Sequence, residues 1–298
     1  MLFRSYMVSS LVLAGLFFIS LLGGCCNLCP VAKETNSPVS KCDVADLIVK
    51  TDDDKKADNC LFLYCGAAIR KPMAEINKNF EAETGIRIEP TFTGSGCLLA
   101  QIELAEKGDL YMPGEDWFMQ QAVERDKIIN WKRVAYFVPV IMVQRGNPYK
   151  ISSISDLMQP GIRVGIGETK SCAIGHFTVR LLEETGIPLE KFMKYVVAQF
   201  ATAPELGNSI KIKSIDACIQ WDSLAALYTD DTEVVAFPVT EKTSSAVTLG
   251  ILKTTKKPEL AAEYLKYVAG PKGQDIFKKY HFTLDLNKPT FPPKTQEK

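Results

Sequence analysis

The sequence predicts an α/β protein of two lobes, each a mixed, mostly parallel sheet flanked by helices. Three observations predict it. From Cys60 onward, short apolar strand-like runs alternate with helix-like runs in the order β-α-β-α-β-α, the pattern of a parallel sheet with helices on its faces. The alternation resumes after 134–144, a long apolar run with Pro139 inside it, which reads as a crossing between lobes. The chain has 298 residues and is 46% hydrophobic, enough for two proper cores.

The N-terminus stands apart from the fold. One positive charge, Arg4, precedes an apolar run over 11–22 that is too short to span a bilayer comfortably. The run ends in Leu22-Gly23-Gly24-Cys25, the pattern of a lipoprotein signal with Cys25 as the lipidated first mature residue. Residues 26–59 read as a tether, with Pro30, Ser37-Pro38 and the charged run 52–56 and little to bury. The first lobe is expected over 60–138 and 246–298, the second over 139–245.

The elements follow in order. Residues 61–65 are continuously apolar, as a buried parallel strand should be. Gly66-Ala67-Ala68 makes a small-residue turn. A helix over 71–84 has Pro72 in its first turn and Met73, Ile76 and Phe80 on one stripe, and Gly85 stops it. A strand over 86–92 leads through Thr93-Gly94-Ser95-Gly96-Cys97 into a helix over 98–107. A strand at 109–112 and a helix at 115–125 complete the first run. In the second lobe, short helices are predicted at 155–159 and 223–228, strands at 163–167, 216–221 and 234–237, and helices at 175–185, 189–198 and 203–213. A strand over 246–252 returns the chain to the first lobe. A helix from Pro258 carries Leu260, Ala261, Tyr264, Leu265 and Val268; Gly270-Pro271 breaks it, and 274–280 forms the last helix. The tail after Phe282 reads as loose.

Composition excludes some functions. Lys+Arg and Asp+Glu are both 35, so the net charge is zero and no basic surface for nucleic acid is indicated. Nine cysteines in an exported chain make disulfides possible without fixing their pairing.

Ligands in open α/β sheets gather at the carboxyl ends of the strands, and both small-residue turns, 66–68 and 93–97, fall there. Glycine lets a backbone approach a ligand closely, and a helix start offers unpaired N–H groups and partial positive charge. Together they make an anion site that needs no Lys or Arg; the plainer reading is a turn with a capping serine.

On these residues the chain resembles the periplasmic molybdate-binding proteins of ABC importers, over about 61–282. The motifs are Tyr64-Cys65-Gly66-Ala67-Ala68, Phe92-Thr93-Gly94-Ser95-Gly96-Cys97-Leu98 followed by Gln101-Ile102-Glu103, Gly108-Asp109-Leu110-Tyr111-Met112, and the closing Tyr264-Leu265 … Gly270-Pro271 … Ile276-Phe277 … Phe282. The resemblance implies a type II periplasmic binding fold, with molybdate or tungstate as ligand between the lobes, no further cofactor, and a membrane permease as partner. Together with the lipoprotein signal at Cys25, it leads to the expectation of an extracytoplasmic, lipid-anchored monomer. The family's serines fall on Ser95 and on Ala68, which has lost the hydroxyl. Its backbone donors fall near Ile174 and Gly175 and near Leu206. Its tyrosine falls on Trp221, whose indole N–H only donates. Gly94 and Gly96 complete the expected ligand set.

Several alternatives stand beside this. Sulfate or ferric iron could be the ligand, and Glu168, Glu205 or Asp222 could add carboxylate ligands to a metal centre. Ser171 or Cys172 could replace the hydroxyl missing at Ala68. The chain could also be a sensor lipoprotein without a transport role. Cys172 and His176, four residues apart on one helix, admit a thiolate–imidazole pair and hence an enzyme, although no third orienting group is placed.

Overall fold

The computed structural model describes residues 59–236 and 240–291. The lipoprotein signal, Cys25 and the tether up to residue 58 lie outside the described residues, as does the chain end from 292.

In the first lobe, β1 (Cys60–Gly66) runs parallel to β2 (Arg87–Thr93) on one side and β3 (Leu110–Met112) on the other. The late strand β10 (Ser245–Leu252) inserts antiparallel between β3 and β4 (Ile128–Phe137), giving the order β2-β1-β3-β10-β4. Three helices connect the early strands: α1 (Arg70–Thr84), α2 (Ser95–Ala105) and α3 (Asp116–Glu124). The stripe Met73, Ile76 and Phe80 is fully buried against the sheet. Gly85 ends α1 at φ 72° and returns its N–H to Glu81 O, a left-handed cap that a Cβ would strain. The chain closes with α8 (Pro258–Ala269) and α9 (Pro271–Lys279).

The second lobe repeats the scheme. Parallel β7 (Val196–Phe200), β6 (Val164–Gly167) and β8 (Ala217–Trp221) lie beside antiparallel β5 (Pro139–Gln144) and β9 (Thr232–Ala236), in the order β7-β6-β8-β5-β9. Its helices are α4 (Ala173–Glu184), α5 (Leu189–Met193), α6 (Ala203–Lys211) and the short α7 (Asp222–Ala225). Both lobes are therefore mixed α/β sheets of the type II periplasmic binding architecture.

Several elements differ from the sequence reading. The helix expected over 189–198 stops at Met193, and Val196–Phe200 becomes the edge strand β7, half-buried on alternate residues. Two adjacent β-branched valines on a one-sided edge favour strand over helix. The run 134–144 is two strands: β4 starts earlier, at Ile128, and Val138 alone separates it from β5. Pro139 sits at the first position of β5, where its missing N–H costs the ladder nothing. Helix α2 starts at Ser95 and α9 at Pro271, because Gly94 and Gly270 serve as N-caps. Nor is the tail after Phe282 loose at its start: the Tyr136 N–H donates to Thr283 O at 2.7 Å, and Thr290 Oγ1 donates to Phe282 O.

Where the chain crosses between the lobes, a polar joint and an aromatic cluster sit side by side. Asp222 N–H donates to Val138 O at 2.7 Å, and Val138 N–H donates back to Asp222 Oδ1 at 3.1 Å. Thr283 Oγ1 reaches Asp222 Oδ2. Around this joint Phe137 stacks on Trp221 with ring centroids 4.9 Å apart, and Phe177 and Phe282 close the cluster.

Candidate functional site

Four helix starts converge between the lobes. From the first lobe come the turn Ala67–Ile69 leading into α1 and the Gly94–Ser95 start of α2; from the second come Cys172 to Ile174 at the start of α4 and Thr202–Ala203 at the start of α6. Gly66, Thr93, Gly114 and Trp221 complete the wall. The space left between them is about 10 Å³, on the scale of one water molecule, so the lobes stand close together here. No lysine, arginine, aspartate or glutamate lines it. Each helix start contributes N–H groups without intrahelical acceptors and the positive end of a dipole, so the wall favours negative charge without carrying a cation.

The individual donors follow from local structure. Ser95 is buried, and its Oγ accepts from the Gly114 N–H at 2.9 Å. That leaves the hydroxyl proton to donate. Pro204 in the first turn of α6 has no N–H, and Glu205 N–H is capped by Thr202 Oγ1; Ala203 N–H, at the first helical position, has no acceptor within its own helix. Trp221 is fully buried, and its indole Nε1–H has no hydrogen-bond partner. A buried donor left unpaired costs roughly 1–3 kcal/mol, so a wall containing one is built for an acceptor.

Of the residues singled out in the sequence, the structure brings Ala68, Gly94, Ser95, Ile174 and Trp221 to this one wall. Three others stand behind it. Leu206 spends its N–H inside α6, on Thr202 O at 3.2 Å. Gly175 packs against the end of β6, where a Cβ would collide with the Gly167 carbonyl. Gly96 donates across the interface to Ser171 O. The loop glycines owe their place to close approach rather than to unusual backbone angles: Gly94 has φ −65° and ψ 144°, but a Cβ there would stand 2.7 Å from the Ser171 carbonyl oxygen.

Thr202, Ala203 and Gly114 were not foreseen. The first two sit one turn before Leu206, and Thr202-Ala203-Pro204-Glu205 is an N-cap signature that could have placed the helix start. Gly114 is held at the wall by tertiary contacts, among them its N–H bond to Ser95 Oγ.

The alternatives can be placed too. Ser171 Oγ is engaged by Glu168 Oε2, which also accepts the Lys170 and Ser171 N–H groups. Glu168 is thus a loop cap; neither it nor Glu205 nor Asp222 lines the cavity. Cys172 does line it, at the N-cap position of α4 and without a side-chain capping bond. Burial pushes its thiol up to about 12, so it is neutral rather than nucleophilic. The His176 ring turns away to Glu115 Oε2 at 2.8 Å and stacks on Trp117, so no thiolate–imidazole pair forms. Cys60, Cys65, Cys97, Cys172 and Cys218 are free thiols. Among the described residues no cluster of three or more His, Cys, Asp or Glu could hold a metal ion.

Residues 61–283 match the family of bacterial extracellular solute-binding proteins. The chain belongs to that family. One relative, a binding protein of Haemophilus influenzae, is 27% identical over 234 residues, covering 78% of this chain and 94% of the relative. The molybdate-binding protein ModA of Mycobacterium bovis is 24% identical over 218 residues, 72% of this chain and 81% of its own length. Among solved structures, the periplasmic molybdate-binding protein of Azotobacter vinelandii superposes with TM-score 0.63 at 15% identity, over 76% of this chain and 99% of that one. The sulfate-binding protein SubI of Mycobacterium tuberculosis superposes with TM-score 0.67 at 15% identity, over 78% of this chain and 88% of that one. The resemblance to molybdate-binding proteins is thus borne out among the relatives, and a further relative, of Bacillus subtilis, carries the name of an ABC transporter substrate-binding lipoprotein, 25% identical over 240 residues.

Proposed function

We propose that this protein captures a tetrahedral oxyanion, molybdate or tungstate, and delivers it to the permease of an ABC importer. The observation that carries the reading is the indole N–H of Trp221, buried without an acceptor in a wall made of helix starts and free of charged side chains. Molybdate near neutral pH is fully deprotonated and accepts at every oxygen, so a donor-only cavity suits it. Inorganic phosphate keeps a proton there and would need an acceptor such as a carboxylate. Several charge-assisted hydrogen bonds, each contributing roughly 1.5–3 kcal/mol, offset the cost of burying the ion. Because the donors come from both lobes, the ion stabilises the closed form over the open one, and the permease would read the closed shape. The ion is cargo, and no resident cofactor takes part.

In this reading Cys25 carries the lipid, and the tether lets a monomer work at the outer face of the membrane. Palmitate labelling that persists in a Cys25→Ala variant would remove that part alone.

The test of the ligand is a thermal-shift and calorimetric series with molybdate, tungstate, sulfate, phosphate and Fe³⁺. One-to-one binding of molybdate and tungstate, well ahead of phosphate, is expected. Strong binding of Fe³⁺ with none of molybdate would end the oxyanion reading. Preference for sulfate would keep the mechanism and change the cargo, since sulfate is also a donor-free dianion.

A further inference from the structure

A second and larger space adjoins the helix-start cavity. It measures about 360 Å³ and lies between the start of α1 in the first lobe and α6 and α7 in the second. That is the size of a small-molecule pocket. Ala67 and Ala68 belong to both walls, so only methyl-sized side chains stand at the partition.

The chemistry of this outer space is unlike that of the inner one. Arg70, Lys71 and Lys211 line it, and no carboxylate does. Lys211 leans on Asp231 at 3.6 Å, while Arg70 rests on the Phe92 ring. Ser223 lines it as well; the residue is 2% exposed and its Oγ has no hydrogen-bond partner. Leu224, Leu227 and Phe282 supply apolar wall. A bare inorganic oxyanion held by the inner helix starts would leave the Ser223 hydroxyl without a partner, and the three cations facing a space with no carboxylate in its lining.

We infer that the two spaces form one extended site for a small phosphomonoester that carries a carboxylate, with the phosphoryl group among the inner helix starts and the anionic carbon body in the outer space. The inference rests on the reading that the inner cavity takes a tetrahedral oxyanion. It differs from that reading in asking for an organic substituent. A phosphomonoester loses its second proton near pH 6, so at neutral pH its three terminal oxygens only accept, as those of molybdate do. Its fourth oxygen is the ester link, which gives the carbon body a way out past Ala67 and Ala68. There the carboxylate meets Arg70, Lys71 and Lys211, and Ser223 Oγ–H gains an acceptor.

Calorimetry on the protein with 3-phosphoglycerate, glycerol 3-phosphate and molybdate, alone and in competition, tests this. 3-Phosphoglycerate should bind one-to-one, compete with molybdate, and bind more tightly than glycerol 3-phosphate, which lacks the carboxylate. Neutralising the exposed pair Lys71→Gln and Lys211→Gln should weaken 3-phosphoglycerate about tenfold and molybdate less than about twofold. A matched pair outside both spaces, Lys132→Gln and Lys191→Gln, should change neither. Ser223→Ala, with folding checked by its melting temperature, should weaken 3-phosphoglycerate selectively. If molybdate binds and 3-phosphoglycerate does not displace it, the extended site is refuted and the oxyanion reading stands. If both bind at once, the spaces are not one site. If neither binds, both readings fall.

Discussion

Gly96 in the first lobe donates its backbone N–H to the Ser171 carbonyl of the second at 2.9 Å. A Cβ on Gly96 would stand 2.7 Å from the Lys170 carbonyl oxygen and 2.8 Å from Ser171 Cα, both backbone atoms that cannot swing aside. Closure therefore depends on a missing side chain. Gly96→Ala should hold the lobes apart while leaving each lobe folded. The expected loss is about 1–3 kcal/mol, charged to closure rather than to folding. Small-angle scattering should show no ligand-induced compaction, with a melting temperature close to wild type without ligand. Normal compaction would mean the interface adapts, and the close approach would then not be limiting.

Ser95 has two tasks, accepting from the Gly114 N–H and offering its own proton to the cavity. Ser95→Ala removes both. Ligand affinity should fall by roughly tenfold or more, and stability by about 1–2 kcal/mol because the buried Gly114 N–H loses its acceptor. Titration calorimetry and denaturant melts separate the two effects. An unchanged affinity would remove Ser95 from the donor set.

Trp221→Phe deletes the unpaired indole N–H and keeps an aromatic ring beside Phe137. One charge-assisted bond is worth roughly 1.5–3 kcal/mol, so affinity should drop about ten- to a hundredfold. Ligand-induced change in tryptophan fluorescence should largely vanish, although Trp117 and Trp131 remain. A variant that keeps full affinity would show that Trp221 only packs.

Burial pushes the Asp222 carboxyl from an ordinary 3.8 up to about 8, against the opposing effect of the Val138 and Ser223 N–H groups and Thr283 Oγ1. The native state therefore holds a proton at Asp222 that the unfolded state releases near pH 4. Between about pH 4 and pH 8 the folded form binds more protons, so this group's contribution to stability declines as pH rises through that window, then levels off. Asp222→Asn removes the titration and keeps an acceptor for the Val138 N–H. Its melting temperature relative to wild type should improve from pH 5 to pH 8. A difference independent of pH would place the Asp222 carboxyl in its ordinary range.

Much of the fold is legible in the residues themselves. Leu61 and Leu63 on β1, Met73, Ile76 and Phe80 on α1 and the Gly85 stop are local patterns, and the structure forms them where the sequence places them. The edge strand β7 and the early start of β4 were not legible, because a half-buried edge depends on which neighbour it pairs with. The site divides the same way. Gly94 and Ser95 are readable as a helix start at a strand end. Gly114 is not, because its role is a hydrogen bond to a serine nineteen residues away in sequence.

The sequence by itself determined two α/β lobes and a pair of glycine- and alanine-rich turns at strand ends, since periodicity and helix-start chemistry act over a few residues. Only the tertiary structure decided that four helix starts and one indole face each other without a charge among them. It also decided that Gly94 and Gly96 are glycines for the sake of the opposite lobe. Those are facts of distance across a closed interface, and a one-dimensional pattern carries no information on which backbone will come within 3 Å of which.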